Sequence, residues 1–236
     1  MKKGLTTILA IVICLMGLGV LLYPTISDYI NIWKQTRLID EYNRKVEELE
    51  REKREEILAA ARAYNEKLYE LGISFENIED NVNAPTVDGQ GYEELLNVDG
   101  NGVMAYVYIE KINVRLAISH GTEDDVLQDG VGHLIGTSLP VGGENTHAVL
   151  FGHRGLPSAK LFTDLDQIEV GDTFQIYVLD RVLNYQVDQI LVVEPGETEE
   201  LQIMDGKDYV TLVTCTPYAV NTHRLLIRGV RMEDAA

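Results

Sequence analysis

Cysteine is close to absent: the 236 residues hold two, Cys14 and Cys215. So few cysteines exclude a disulfide framework as the source of stability. Basic residues are also few, 20 lysines and arginines against 38 aspartates and glutamates, for a formal net charge of −18. Such a chain repels a polyanion rather than gathering it, which excludes nucleic-acid binding. No internal repeat and no low-complexity tract is present. At 45% hydrophobic the chain can build a sizeable core and is not a disordered one, and its length fits one or at most two domains.

The N-terminus reads MKKGLTTILAIVICLMGLGVLLYP, two lysines and then an uncharged, mostly apolar run from Gly4 to Tyr23. A helix needs roughly 20 apolar residues to cross a bilayer, and secretory h-regions are shorter, about 7 to 15, so the run is read as a membrane span. The alternative is a cleaved signal peptide, for which Gly17 to Gly19 is a weak site. Lys2 and Lys3 precede the span, so the positive-inside rule keeps them in the cytoplasm and places the rest of the chain outside the membrane. Cys14 then lies in the span and Cys215 in the exported part, out of reach of a bridge that needs Cα atoms within about 7 Å. An unpaired thiol outside the cell needs an explanation.

Four segments are expected. Residues 1–27 form the membrane anchor. Residues 28–71 are charged and helical in character, with Val46, Leu49, Ile57, Ala61, Tyr64, Leu68 and Leu71 near one docking face. The apolar repeat breaks around Glu52 and Lys53, which argues against a coiled coil. Residues 72–103 begin with GISFENIEDNVNAPTVDGQG, rich in Asn, Asp and Gly, and are read as a lid or a linker. Residues 104–236 change to short β-rich runs: AYVYIEK, NVRLAIS, HLIGTS, HAVLFG, TFQIYVL, VLNYQVDQILVVE, DYVTLVTC and RLLIRGVR. Many short strands broken by Gly, Asp and Asn turns predict an all-β barrel or sandwich, with helix confined to pieces such as SAKLFTDLDQI.

Strand alternation places Tyr209, Thr211, Val213 and Cys215 on one face, with Cys215 at the strand end where Thr216 and Pro217 stop the ladder. The next strand begins near Arg224; if the two strands pair, Cys215 and Arg224 meet at one rim of the sheet. A thiol attacks only as thiolate and gains from a cationic neighbour. Arginine supplies that charge, and its planar fork can also hold an oxyanion. Acyl transfer further needs a proton for the leaving amine, a task suited to histidine. The candidates are His120, His133, His147, His153 and His223. His153 is the most suggestive, because AVLFGHRG sets it after an apolar strand in a glycine-rich turn. Each residue also has a plainer reading: a lone cysteine after a β-run is more often core than catalyst, and an arginine opening a strand is usually a solvated edge charge.

The segments HGTEDDVLQDGVGHLIGTSLPVGGENTHAVLFGHRGLPSAKLFTDLDQIEVGD and KDYVTLVTCTPYAVNTHRLLIRGVR closely resemble class C sortases, the pilin-polymerising transpeptidases of Gram-positive bacteria. The resemblance covers the chain from about Tyr64 to Arg231. It implies a closed eight-stranded sortase-type β-barrel, mainly β with short helices, preceded by the transmembrane helix, the charged helix and the lid loop. It also implies Cys215 as nucleophile, His153 as general acid/base and Arg224 as oxyanion-stabilising group, with no metal or cofactor. The expected reaction cleaves an LPXTG-like sorting signal between Thr and Gly through a thioacyl enzyme and joins the acyl group to a lysine of the next pilin subunit. The implied location is the outer face of a single-pass membrane. Two alternatives remain: a sortase attaching proteins to a peptidoglycan amine, and a non-catalytic membrane-tethered β-domain.

Two features depart from the class C pattern. Its lid carries an Asp-Pro-aromatic motif, but here NAPTV puts Ala84 where Asp is expected and Thr86 where the aromatic is expected, on either side of Pro85. Autoinhibition by this lid is therefore not expected unless Asp80 or Asp88 substitutes. The C-terminus reads GVRMEDAA without the hydrophobic span that many class C enzymes carry there, so the expectation is either that the N-terminal helix is the sole anchor or that the chain is truncated. Tyr218 and Asn221, beside Cys215, are candidate lining for a substrate groove.

Overall fold

The computed structural model describes residues 2–72 and 85–233. Helix α1 runs from Lys2 to Glu48 without interruption at the expected segment boundary near residue 27, and Pro24 lies inside it. Within it is a stretch long and apolar enough to cross a membrane. The helix ends at Glu48 because Glu50 is extended, and α2 begins at Arg51 and ends at Leu71. Arg54 ties the two together: its Nη1 donates to the carbonyls of Val46 (3.2 Å) and Leu49 (2.9 Å) at the end of α1. Gly72, in the left-handed region at φ 60, closes α2 by donating its N–H to the carbonyl of Tyr69.

Of the expected docking stripe, Val46, Ala61, Tyr64 and Leu68 are buried and Ile57 is partly so. Leu71 is exposed, one turn beyond the packed surface. The burial extends further than the stripe, to Ile39, Tyr42 and Leu58.

Eight strands form the expected closed barrel: β1 (Val103–Ile109), β2 (Val114–His120), β3 (Val131–His133), β4 (Thr146–Gly152), β5 (Thr173–Val178), β6 (Arg181–Val193), β7 (Asp208–Thr216) and β8 (His223–Arg231). Their order around the barrel is β1-β2-β3-β4-β7-β8-β6-β5. β2 pairs parallel with β3 and β4 parallel with β7; all other pairs are antiparallel. Side chains such as Phe174, Ile176, Tyr185, Val210, Leu212 and Ile227 fill the interior. Each large apolar side chain buried in this way contributes about 1.5–3 kcal/mol.

Two local expectations are corrected. HLIGTS is not a strand beyond His133, because tertiary bonds bend the chain: Leu134 donates to Val149, Ser138 donates to His147, and the His133 ring bonds the Ser138 carbonyl at 2.8 Å. SAKLFTDLDQI holds only a short 3-10 turn, Leu165–Gln167. Phe162 in its middle is fully buried and its N–H is bonded to the His153 carbonyl, which pulls the segment back onto the barrel instead of letting it coil.

The helices lie differently on the barrel. α1 descends its side: Asn31 and Gln35 donate to the Asp129 carbonyl before β3, and Tyr42 reaches the β1 start and the β5–β6 turn. α2 crosses the end where β5 turns into β6 and where β4 and β7 begin. There Arg54 pairs with Asp180, Glu55 with Arg181, Asn65 with Leu139 and Tyr69 with Asp205. The opposite end holds Gly152, Thr216 and His223.

Tyr42 is the pin of this arrangement, because its buried hydroxyl donates to the Met104 carbonyl (3.1 Å) and accepts the Leu179 N–H (2.8 Å). Tyr42→Phe strands both partners in a dry site. Thermal melts of the detergent-solubilised chain are expected to show a loss of about 1–3 kcal/mol.

Candidate active site

β4 and β7 run side by side in one register, from Thr146 opposite Asp208 to Phe151 opposite Val213. Carried two residues further, this register sets His153 beside Cys215. Thr214 fastens the strand ends, its Oγ1 donating to the Gly152 carbonyl at 2.7 Å. On the other side of β7, Cys215 is the direct partner of Arg224. Three neighbouring strand ends therefore present His153, Cys215 and Arg224 at one level.

They also share a face. Val210 and Leu212 belong to the barrel interior, whereas Val213 joins Val149, Leu226 and Leu201 in a second apolar cluster flanked by Phe151, Leu191 and Val193. Cys215 alternates with Val213, and Arg224 with Leu226, so the three polar groups border this outer cluster rather than the core. Cys215, His153 and Arg224 are each partly accessible, and Cys215 is a free thiol. Its exposure rules out the reading of Cys215 as a core cysteine. Among the described residues neither the thiol nor the His153 ring has a hydrogen-bond partner. The Arg224 guanidinium rests on its own loop, donating to the carbonyls of His223 (3.2 Å) and Asn221 (3.5 Å).

The five candidate histidines separate cleanly. His120 bonds the carbonyls of Gly102 and Leu95; His133 bonds Tyr92 and Ser138; His147 bonds the Gln202 carbonyl and Thr211. All three are buried and occupied at both ring nitrogens. Burial pushes His133 and His147 down to about 4, keeping them neutral. His223 opens β8 opposite Thr216, and its Nδ1 lies 2.9 Å from the Thr222 hydroxyl. Only His153 combines a free ring with a place next to Cys215.

One residue of the site went unremarked in the sequence. Arg154 looks like an edge charge, yet its side chain is 7% exposed, pairs with Asp166 and donates to Thr216 Oγ1 at 3.2 Å. Its guanidinium lies 6.0 Å from the centre of the Tyr218 ring. Arg154 thus staples the His153 loop to the chain just beyond Cys215. The GHRG motif gives the residue type; only the fold shows what it holds. Gly155 is needed beside it, since at φ 76 a Cβ would also come within 3.1 Å of the Tyr218 ring. Tyr218 and Asn221 are exposed in the same loop.

The lid candidates behave otherwise. Pro85 is buried and Thr86 is exposed with its carbonyl accepting from Lys67 on α2 (2.7 Å). Val87 and Asp88 continue along α2, lining a cavity of about 670 Å³ with Leu49, Ile57 and Ala60. That surface lies across the barrel end away from Cys215, so Pro85, Thr86 and Asp88 do not cover the thiol. Their exclusion follows from the Tyr92 anchor, whose ring packs on Tyr64 and whose hydroxyl bonds His133. Ala84 and Asp80 lie outside the described residues.

Comparison with known proteins adds a separate line of support. A model of the sortase domain matches residues 107–232, the barrel that carries all three groups. The structure of sortase C1 from Streptococcus agalactiae superposes with a TM-score of 0.77 at 44% identity, covering 84% of this chain and 100% of that one. Sortase C from Streptococcus pneumoniae, described for its catalysis and pilin substrate specificity, gives 0.71 at 42% identity over 85% and 98% of the two chains. Sortase D of Bacillus subtilis (strain 168) is 31% identical over 111 residues, 47% of this chain and about half, 53%, of that protein.

Two outcomes follow from the geometry. At Gly152 an added Cβ would lie 2.5 Å from the fully buried Phe162 ring, so Gly152→Ala is expected to displace His153 and to destabilise the chain by about 1–3 kcal/mol in thermal melts. The second concerns pH. The neutral rings of His133 and His147 titrate at about 4 when folded and near 6.5 when unfolded, so the unfolded chain binds more protons between these values. Their contribution is full above about pH 6.5 and is lost as pH falls toward 4, at most about 3 kcal/mol per ring. Melts of wild type and His147→Gln across that window should show a shallower acid decline in the variant.

Proposed function

Because this chain belongs to the sortase family, we propose that it is a membrane-anchored cysteine transpeptidase acting on a sorting signal of the LPXTG type. The observation that carries this reading is the alignment of His153, Cys215 and Arg224, each partly accessible, on three adjacent strand ends. Phe151, Leu191 and Val193, half-buried over the closed cluster of Val149, Val213 and Leu226, are the apolar side chains beside the site that suit the apolar part of an extended peptide.

The chemistry runs in two displacements. The Cys215 thiolate adds to the carbonyl carbon of the threonine, and the electron pair moves to the oxygen, where the Arg224 fork holds it. Arg224 must leave the carbonyls of His223 and Asn221 to do so, exchanging neutral acceptors for a charged one. Collapse breaks the C–N bond, and the glycine amine departs with a proton from the His153 imidazolium, leaving a thioester on Cys215. An incoming amine then gives its proton to His153, attacks the thioester carbon and releases the thiolate. The peptide-bond energy is kept in the thioester, so the ligation draws on no nucleoside triphosphate.

A lysine side chain of a neighbouring pilin subunit is the proposed acceptor, which makes the product an isopeptide-linked polymer. The similarity to sortase C structures over most of their length supports that acceptor over a peptidoglycan amine. In this reading the catalytic barrel lies on the extracytoplasmic side, which the charge asymmetry of Lys2 and Lys3 supports.

Intact-mass spectrometry of the chain with an LPXTG-containing peptide should show an adduct equal to the peptide cleaved after threonine. Cys215→Ala should abolish it, and an adduct that persists in this variant sinks the assignment. Arg224→Ala should slow acylation by about 10²–10³-fold. Adding a lysine peptide and a peptidoglycan-type amine in competition then distinguishes the two acceptors by product mass.

A further inference from the structure

The barrel has two unlike ends, and α1 is joined to one of them. Its first docked residue is Asp28, whose Oδ1 accepts the Lys160 N–H at 2.7 Å. Lys160 lies in the loop that follows His153, two residues before Phe162, whose own N–H is bonded to the His153 carbonyl. From there α1 descends past Asp129 to Tyr42 at the β5–β6 turn, and α2 crosses the far end. The apolar run that precedes Asp28 therefore leaves the barrel at the catalytic end.

The helix fixes the spacing. It is continuous from Lys2 to Glu48, so Asp28 sits about 7.5 Å along the axis from Tyr23, the last residue of the run, and Glu48 about 30 Å beyond Asp28. Tyr23, Tyr29 and Trp33 form an aromatic series bracketing that level, and the last two are 73% and 58% exposed where α1 already lies on the barrel. Exposed Tyr and Trp at the foot of a membrane span fit the headgroup layer, which accepts both ring and polar tip. On the same end of the barrel the β7–β8 loop presents Tyr218 and Val220, both exposed.

We propose that the catalytic end of the barrel rests against the bilayer crossed by α1, with the His153 loop and the β7–β8 loop at headgroup level, so that the site takes polypeptide substrates presented at the membrane surface. This rests on α1 being a membrane span and on Cys215 marking the active end. The occupant of this surface is the lipid headgroup layer, because the rim is continuous with the helix that enters it. A substrate free in solution reaches Cys215 only by passing between the rim and the lipid.

The test uses the full-length chain in phosphatidylcholine vesicles, with Trp33→Phe as background and one tryptophan reintroduced at Val220 (catalytic rim) or at Val182 (far end). Thr222→Trp is a second rim reporter should Val220→Trp misfold. A headgroup-nitroxide phosphatidylcholine is added to both leaflets, and flotation verifies membrane association. Several-fold stronger quenching at the rim than at Val182 is the expected result. Equal quenching at both ends, stronger quenching at Val182, or no quenching at either in a chain that floats overturns the orientation while leaving the anchor and the proposed chemistry in place. A chain that fails to float overturns the anchor as well.

Discussion

β4 and β7 lie parallel, in one register from Thr146 opposite Asp208 to Phe151 opposite Val213. A slip of one residue would turn every β7 side chain to the opposite face, sending Cys215 toward the barrel interior and Thr214 out of it. Two side chains hold the register besides the ladder: Thr214 on the Gly152 carbonyl, and His147, whose Nε2 lies 2.7 Å from Thr211 Oγ1. The antiparallel β7–β8 pair then brings Arg224 to the same level without further help. The proposed chemistry depends on this one alignment, since His153 and Cys215 belong to strands distant in sequence and share no side-chain bond among the described residues.

The polar groups of the barrel divide by accessibility. His120, His133 and His147 have been taken out of water and given two partners each, an arrangement that fixes loops, and burial keeps His133 and His147 uncharged at neutral pH. His153 stands at the strand end with an unbonded ring. Arg228 and Arg154 show the same contrast with Arg224. Arg228 is held by Asp188 and lies 4.3 Å from the Tyr209 ring centre, and Arg154 is held by Asp166 and Thr216. Arg224 is bound only by weak contacts to neutral carbonyls, which leaves its charge available for an oxyanion.

The helices do more than tether. α1 buries Ile39, Tyr42 and Val46 against the barrel and touches the His153 loop through Asp28, and α2 shuts the far end. One continuous helix carries the apolar run and supports the histidine's loop, so under the proposed orientation the placing of the mouth is a property of the fold, not of a flexible stem. Arg54, at the break between α1 and α2, turns the chain from the side of the barrel to its end.

Most of this was legible in the sequence. Strand alternation, turn residues and the single long apolar run give local signals, since each reports whether neighbouring residues share an environment. They located seven of the eight strands, the long apolar helix and a docking stripe. Cys215, Arg224 and His153 were singled out because strand ends next to Pro and Gly are where chemistry-bearing residues escape the ladder, and the barrel brings the three to one level. HLIGTS and SAKLFTDLDQI were misread because their shapes are set by His133 and Phe162, which bond or pack against residues that propensity does not see. The place of Pro85 and Thr86 was left open between lid and linker, because a loop has no period and its position depends on where Tyr92 finds a pocket. The sequence by itself determined which segments bury apolar surface and which residue types can carry acyl transfer, because burial and reactivity belong to side chains. Only the tertiary structure decided that β4 lies beside β7 in the one register that aligns His153 with Cys215, and at which barrel end α1 leaves, because those are choices among long-range pairings that no local pattern encodes.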